Sequence, residues 1–386
     1  MKLHEIVQTG GMLNLTNPGT SIILFPMAKG ASVKMTRFDS ESDAYAYLEK
    51  LRWPNGPECP HCGTVGKHYY LAPANTLTRP NNPTRKTRTG SESPRRVWKC
   101  AACRKQFSVT TGTVMHGSKV EIRTWLMVIH EMCANKNGIA AREIERKYGV
   151  APKTAWFMAH RLREGMRRGA PESLLSGIVL ADETFIGGSE RNRHVKDRWS
   201  YQPKGAVPVP IVPSEEVLGQ SVGASHPGPG YRKSSVLSLI DTQTGEVRSK
   251  VIPDVTGATL RKAISEQVDM SATELHTDEW TGYRALEPEV AAHRTVNHSE
   301  DEYVRYEGKG KNKMMVSTNA LEGYFSQLKR SIDGTHHHVS TEHLPRYLAE
   351  FDFRYSTRKV TDEARVRRLM GQVAGRRLTY RRVTGA

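Results

Sequence analysis

The sequence predicts a multidomain α/β protein: a small zinc ribbon and a helix-turn-helix, then a mixed-sheet domain. Three observations carry this reading. Four of the five cysteines form two CxxC pairs, a basic pair of short helices follows them, and from about residue 177 strand-like runs alternate with amphipathic helical ones. At 386 residues the chain is long enough for two or three domains and a sizeable core. We divide it into an N-terminal arm (1–37), a zinc-ribbon region (38–117), a helix-turn-helix region (118–170), a mixed-sheet domain (171–360) and a basic C-terminal tail (361–386).

Residues 1–37 are rich in Gly, Thr and Asn without a sustained period, and read as a flexible arm. SESDAYAYLEKLRW predicts a short helix with Ala44, Tyr47, Leu48 and Leu51 on one face. Cys59 and Cys62 (CPHC) and Cys100 and Cys103 (CAAC) then supply four thiolates, the full set for tetrahedral Zn²⁺. Four thiolates leave no open position, so this zinc is expected to be structural. Between the pairs, the polar, Pro-rich, basic stretch 71–96 reads as a long exposed loop. KCAACRKQFSVTTGTVM supplies aromatic and β-branched residues for a small ribbon. Cys133, alone on an apolar helical face, is assigned to the core.

Residues 120–168 look helical throughout. Within them GIAAREIERKYGVAPKTAWFMAHRLREGMRRG predicts two helices joined by a tight turn that Gly149 permits. Ala140, Ala141 and Ile144 would pack the first helix, and Ala155, Trp156, Ala159 and Leu162 the second. In a helix-turn-helix the second helix enters the major groove, which would bring Lys153, Thr154 and His160 to the DNA. Arg161, Arg163, Arg167 and Arg168 would then touch phosphates.

Beyond 177, IVLADETF reads as a strand, and SSVLSLIDTQTGEVRSKVI as a hairpin turning at TQTG. TLRKAISEQV predicts a helix leading to the strand before Asp278. The Pro- and Gly-rich stretch 191–234 reads as an insertion loop.

Three acidic positions recur at element ends: Asp182 in IVLADETFIGG, Asp278 in ELHTDEWTGY and Glu322 in TNALEGYFSQLKR. Asp182 and Asp278 are each followed by a glutamate. Strand neighbours point to opposite faces, so one of each pair reaches a given metal, and the pattern alone leaves both choices open. On the helix, Leu321, Phe325, Leu328 and Ile332 form an apolar stripe with Tyr324 at its edge. Asn319, Glu322, Ser326 and Lys329 share one polar flank. Phosphodiester attack requires an activated oxygen and neutralised charge on entering and leaving oxygens. Two Mg²⁺ (or Mn²⁺) about 3.5–4 Å apart supply both, and hard cations prefer carboxylate oxygen. Lys329, two turns beyond Glu322, is suited to hold a phosphate or base.

A formal charge of +17 points to a polyanionic partner, with salt-dependent binding through counterion release. Much of the excess lies in the C-terminal region, including Arg354, Arg358, Arg365 and Arg377. No run of apolar residues reaches the length of a membrane helix, and no signal-peptide pattern opens the chain. A reducing, cytoplasmic setting is expected from the cysteine usage.

At CPHCG, WKCAACRKQFSVTTGTVMH, ADETFIGG, HTDEW, VNHSEDEYVR, TNALEGYFSQLKRSIDGTHHHVS and LAEFDFRYSTR the chain resembles insertion-sequence DDE transposases with an N-terminal zinc ribbon (the ISXO-type family), over about 38–360. The resemblance implies a ribonuclease-H-like core whose first strand carries Asp182, whose fourth carries Asp278, and whose following helix carries Glu322. It selects Asp182 over Glu183 and Asp278 over Glu279. Some members use asparagine as the third ligand, and Asn319 lies one turn before Glu322, but an anion binds Mg²⁺ better than an amide does. His298 in VNHSE is a candidate for positioning substrate. The resemblance further implies binding to double-stranded DNA at element ends and target, end cleavage and joining, and a homo-oligomer on DNA.

Overall fold

Helix α1 (Glu41–Arg52) opens the described part of the chain, its N-terminus closed by the Ser40 hydroxyl, which accepts from the Asp43 N–H at 3.1 Å. The computed structural model describes residues 40–71, 96–169, 173–187, 233–308 and 313–384. The N-terminal arm, the body of the loop between the cysteine pairs and nearly all of the 191–234 insertion lie outside the described residues. The buried face of α1 is Ala44, Tyr45 and Leu48, whereas Tyr47 is exposed. Ala44, Leu48 and, in part, Leu51 pack as expected, and the buried tyrosine of this helix is Tyr45 rather than Tyr47.

Strands β1 (His68–Leu71), β2 (Val97–Cys100) and β3 (Gln106–Phe107) form a small antiparallel sheet in that order. The stretch expected to be continuously helical is three helices: α2 (Ile122–Ala134), α3 (Ala141–Tyr148) and α4 (Pro152–Met166). α3 ends at Gly149 with φ +63°, a left-handed conformation that favours glycine, and Pro152 opens α4 where its missing N–H costs nothing. Ile144, Ala155, Ala159 and Leu162 are buried as expected.

The larger sheet comprises β4 (Leu175–Ile186), β5 (Ser234–Asp241), β6 (Val247–Ile252), β7 (Val268–Thr277) and β8 (Ala292–Thr295), in the order β6-β5-β4-β7-β8. β4, β5 and β6 run antiparallel in sequence, and β7 and β8 run parallel to β4. The β5–β6 hairpin turns at TQTG: Asp241 Oδ1 accepts from the N–H groups of Gln243 and Thr244, and Gly245 takes φ +71°. Helix α5 (Gly257–Ser265) makes the crossover from β6 to β7. A hairpin of β9 (Arg305–Glu307) and β10 (Met314–Val316) leads into α6 (Asn319–Ser331), then α7 (Leu344–Ser356), α8 (Asp362–Gln372) and α9 (Tyr380–Thr384).

Alternation along β4 divides two cores. Leu180 and Ile186 join Leu321, Tyr324, Phe325 and Leu328 of α6 and residues of α7 on one face. Val179 and Ala181 join Leu260 and Ile264 of α5 and Tyr283 on the other. A third core holds the ribbon and α1–α4, and it also takes in Val366, Leu369, Met370 and Val373.

That last group corrects the expectation of a basic tail after residue 360. Positions 366, 369, 370 and 373 repeat at helical spacing, so α8 is an amphipathic helix packed against α2 and α4. Arg354 is likewise not a free charge: it is buried beside Glu350 on α7. The described residues form one compact unit. Among the described residues no helix is long and apolar enough to cross a membrane.

Candidate functional site

The two cysteine pairs are built alike. In the first knuckle the Cys59 N–H donates to the Thr64 carbonyl at 3.0 Å and the Gly63 N–H to the Cys59 carbonyl at 2.8 Å. In the second, the Cys100 N–H donates to Lys105 at 3.0 Å and the Arg104 N–H to Cys100 at 3.1 Å. Gly63 and Arg104, at matching places, both have positive φ. Each knuckle therefore curls its two sulfurs toward one point. The four ligand atoms all lie within 4.8 Å of one another, with Cys59 Sγ 3.7 Å from Cys103 Sγ and Cys62 Sγ 3.6 Å from Cys100 Sγ. A tetrahedral ion with Zn–S bonds of about 2.3 Å sets its sulfurs about 3.8 Å apart, so the residues fit structural Zn²⁺. Cys133 is buried in the core, where burial pushes its thiol up to about 12.

The acidic positions converge at one end of the large sheet. β4 and β7 are parallel neighbours with Leu180 opposite His276. Asp182 lies two residues further along β4, and Asp278 directly follows the last residue of β7, close enough for its charge to act on Asp182. Asp278 leaves the sheet at once, because its Oδ1 accepts the Trp280 N–H at 3.1 Å and turns the chain. Asp182 shares its face with Leu180 and Ile186, the face that α6 covers, and Glu322 projects from the first turn of α6. The carboxyl of Asp182 is pushed up to about 7, by burial first, then by the charge of Asp278 and also that of Glu322, with Lys329 partly offsetting them. Asp278 is raised as well, chiefly by burial. Among the described residues neither aspartate has an ion-pair partner, and the three acids are not packed to the spacing of the cysteines. This is a set of hard oxygen donors whose mutual repulsion a divalent cation would relieve.

The adjoining glutamates do other things. Glu183 points to the opposite face of β4, beside the fully buried Tyr283, and is pushed up to about 8 chiefly by burial. Glu279 accepts from Ser299 Oγ at 2.5 Å and from the His298 N–H at 3.0 Å, and these bonds hold it down at about 2.

That grip seats His298. Its Nε2 lies 3.1 Å from the Thr318 hydroxyl and 3.9 Å from Glu322 Oε1. Asn319 is exposed at the start of α6, its N–H donating to Ser317 Oγ at 3.1 Å. Lys329 is exposed two turns after Glu322 and close enough to act on Asp182.

On α4 the structure separates residues that sequence treated together. Lys153 is exposed, and its ammonium lies 4.6 Å from the ring centre of Tyr380 on α9. Thr154 and Arg161 are half-buried, and Arg161 donates to the His116 carbonyl at 3.1 Å. Two expectations fail. Arg163 is buried and donates to Glu350 Oε2 at 2.7 Å, so it cannot touch a phosphate. His160 is fully buried among Trp156, His343 and Tyr347, and burial holds its pKa down at about 2. Arg168 is taken up by an ion pair with Glu246, while Arg167 remains exposed.

The sequence reading did not single out a polar row behind Asp182. Asp182 stands opposite Ser238, and Ser238 opposite Ser249. Ser249 Oγ and Tyr324 OH both donate to Asp352 Oδ1 at 2.7 Å. This network ties α6 and α7 to the sheet. Single serines within strands, such as Ser238 and Ser249, are too common to reveal it.

Comparison with known proteins gives two family matches: residues 39–106 to the transposase zinc-ribbon domain, and residues 174–356 to the ISXO2-like transposase domain. The chain is also 26% identical over 321 residues to a protein of Halobacterium salinarum described as an uncharacterized protein in transposable element ISH50, covering 82% of this chain and 91% of that one.

Proposed function

From a chain that combines the zinc ribbon and the ISXO2-like domain of insertion-sequence transposases, we propose an enzyme that binds the terminal inverted repeats of its element, cleaves the ends and joins them to target DNA. The carrying observation is the meeting of Asp182, Asp278 and Glu322 at one end of the β4–β7 pair. The sheet order, with a three-strand antiparallel run followed by two parallel strands, supports the ribonuclease-H-like reading.

Asp182, Asp278 and Glu322 would hold Mg²⁺ or Mn²⁺. When bound, the cations supply an activated attacking oxygen and neutralise charge on the phosphate. Glu322 is preferred to Asn319 as third ligand because carboxylate binds a hard cation better than an amide does. Asp182, on which the charges of both other acids act, would be the shared ligand. Lys329 holds a phosphate beside them, and His298 orients the substrate against Glu322. The α3–α4 pair acts as the helix-turn-helix, with Lys153, Thr154 and Arg161 at the DNA, and the ribbon adds contacts. Joining two element ends calls for at least a homodimer.

The test is cleavage and strand transfer on element-end DNA with Mg²⁺, comparing wild type with Asp182→Asn. Joined product from wild type, and none from a folded, DNA-binding Asp182→Asn, supports the reading. Equal inactivity of both with binding intact would leave a DNA-binding regulator.

A further inference from the structure

Between Asp278 and Glu322 the chain exposes an unusual density of large apolar side chains: Trp280, Tyr303, Val304, Tyr306 and Met315. Single exposed apolar residues are ordinary, but a group of them between two acids of one site is not. Tyr306 and Met315 stand directly opposite each other across β9–β10, so both project from one face of the hairpin. They are 56% exposed each. The other face is spoken for: Arg305 and Glu307 lie there, and Glu307 pairs with Arg294 of β8. Lys313 completes the open face, its ammonium 4.2 Å from the Tyr306 ring centre.

The hairpin is joined to the carboxylates at both ends. Upstream, the Tyr303 ring lies 5.4 Å, centre to centre, from that of His298, which is 3.9 Å from Glu322 Oε1. Downstream, β10 is followed by Thr318, which bonds His298, and then by α6. The chain on either side of the hairpin thus runs directly to residues that contact Glu322 or precede it.

We propose that the Tyr306–Met315 face of the β9–β10 hairpin is a stacking platform for a nucleobase that has left the duplex next to the reacting phosphate. This deepens the transposase reading and rests on it. The chemistry favours a nucleic acid over a second copy of this chain. The cation sits on the face and the hairpin acids on its back, which suits an aromatic base carrying a phosphate. Aromatic platforms take any base, since every base has a π-face, but only one outside the stack can reach them.

The test uses the full chain without divalent metal and element-end DNA carrying 2-aminopurine beside the cleavage point, with that end either paired or mismatched. Wild type should bind the mismatched end more tightly and quench its fluorescence. Tyr306→Ala should lose at least about fivefold of that preference while Tyr306→Phe keeps it. Lys313→Ala should weaken both ends alike and flatten the salt dependence. Wild-type behaviour of Tyr306→Ala on both ends overturns the platform. So does a Tyr306→Ala protein that changes only its sedimentation, which would make this face a contact between copies. These outcomes are separate from the cleavage assay: lack of joined product from wild type removes the transposase reading, whereas unchanged Tyr306→Ala binding removes only the platform.

Discussion

His298 Nε2 stands 3.9 Å from Oε1 of Glu322, and the same nitrogen is 3.1 Å from the Thr318 hydroxyl. Glu279, the residue after Asp278, holds the His298 backbone from the other side. One short path thus links the second acid of the site to the third. Groups that orient metal ligands without binding the ion usually matter by about 10–100-fold. We expect His298→Ala to lower the strand-transfer rate by that factor without loss of fold, seen as an unchanged melting temperature. Glu279→Gln, which weakens the grip on 298 and 299, should give a smaller loss in the same assay. Full activity in His298→Ala would remove its positioning role.

Asp182 links pH, metal and stability. Its carboxyl sits at about 7 in the folded protein against an ordinary 3.8, chiefly through burial. A folded-state pKa above the unfolded one means that the native protein binds the proton more tightly. Stability therefore falls as pH rises from about 4 to 7, and the loss stays in full above 7. The cost is on the order of a few kcal/mol. Without divalent metal at pH 8, Asp182→Asn should melt several degrees above wild type, and the gap should close toward pH 4. Added Mg²⁺ should raise the wild type and not the variant. A metal-free Asp182→Asn that melts below wild type at pH 8 would contradict this account.

What was legible in the sequence was local chemistry. The CxxC pairs, Gly149 and the TQTG turn each encode their geometry within a few residues, and each appears as read. What was not legible depends on partners far along the chain. Arg163 reads as a free cation until Glu350, 187 residues away, is known to meet it. The arginines of α8 mask the helical spacing of Val366, Leu369, Met370 and Val373. Alternation alone could not say which of Asp182 and Glu183 faces α6, since that depends on which side of the sheet the helix covers. The structure puts Asp182 on the face that α6 covers and Glu183 on the other, beside Tyr283.

The sulfur spacing at the ribbon makes a stoichiometric prediction. Distances of 3.6–3.7 Å across the Cys59–Cys103 and Cys62–Cys100 pairs suit one shared ion. Purified protein should carry about one zinc per chain by atomic spectroscopy, and Cys62→Ser should lose it. Because such sites contribute folding energy outright, the variant should also alter the fluorescence of Trp53 and Trp98, which pack in the ribbon core. Cys133→Ser, which is not one of the four grouped thiolates, should keep its zinc. Equal zinc content in Cys62→Ser and wild type would refute a four-thiolate site.

At Gly138 the chain after α2 packs directly against the buried charges of α7. Its φ is +81°, and a β-carbon there would lie 2.7 Å from Glu350 Oε1 and 3.1 Å from Arg354 Nη2. Glu350 is fully buried and takes its charge partners from Arg163 and Arg354, while Arg354 also donates to the Asn135 carbonyl at 2.6 Å. Pushing one member of such a buried set aside leaves a charge without its partner, at a cost of about 3–5 kcal/mol. Gly117→Ala is the matched control: its φ is +66°, but nothing lies within 4 Å of the added carbon. It should cost only the left-handed strain, about 1–2 kcal/mol. Thermal unfolding should therefore place Gly138→Ala well below Gly117→Ala, by some degrees for each additional kcal/mol. Equal melting of the two variants would mean that Glu350 and Arg354 yield freely, and that the buried ion cluster does not hold α7 against the end of α2.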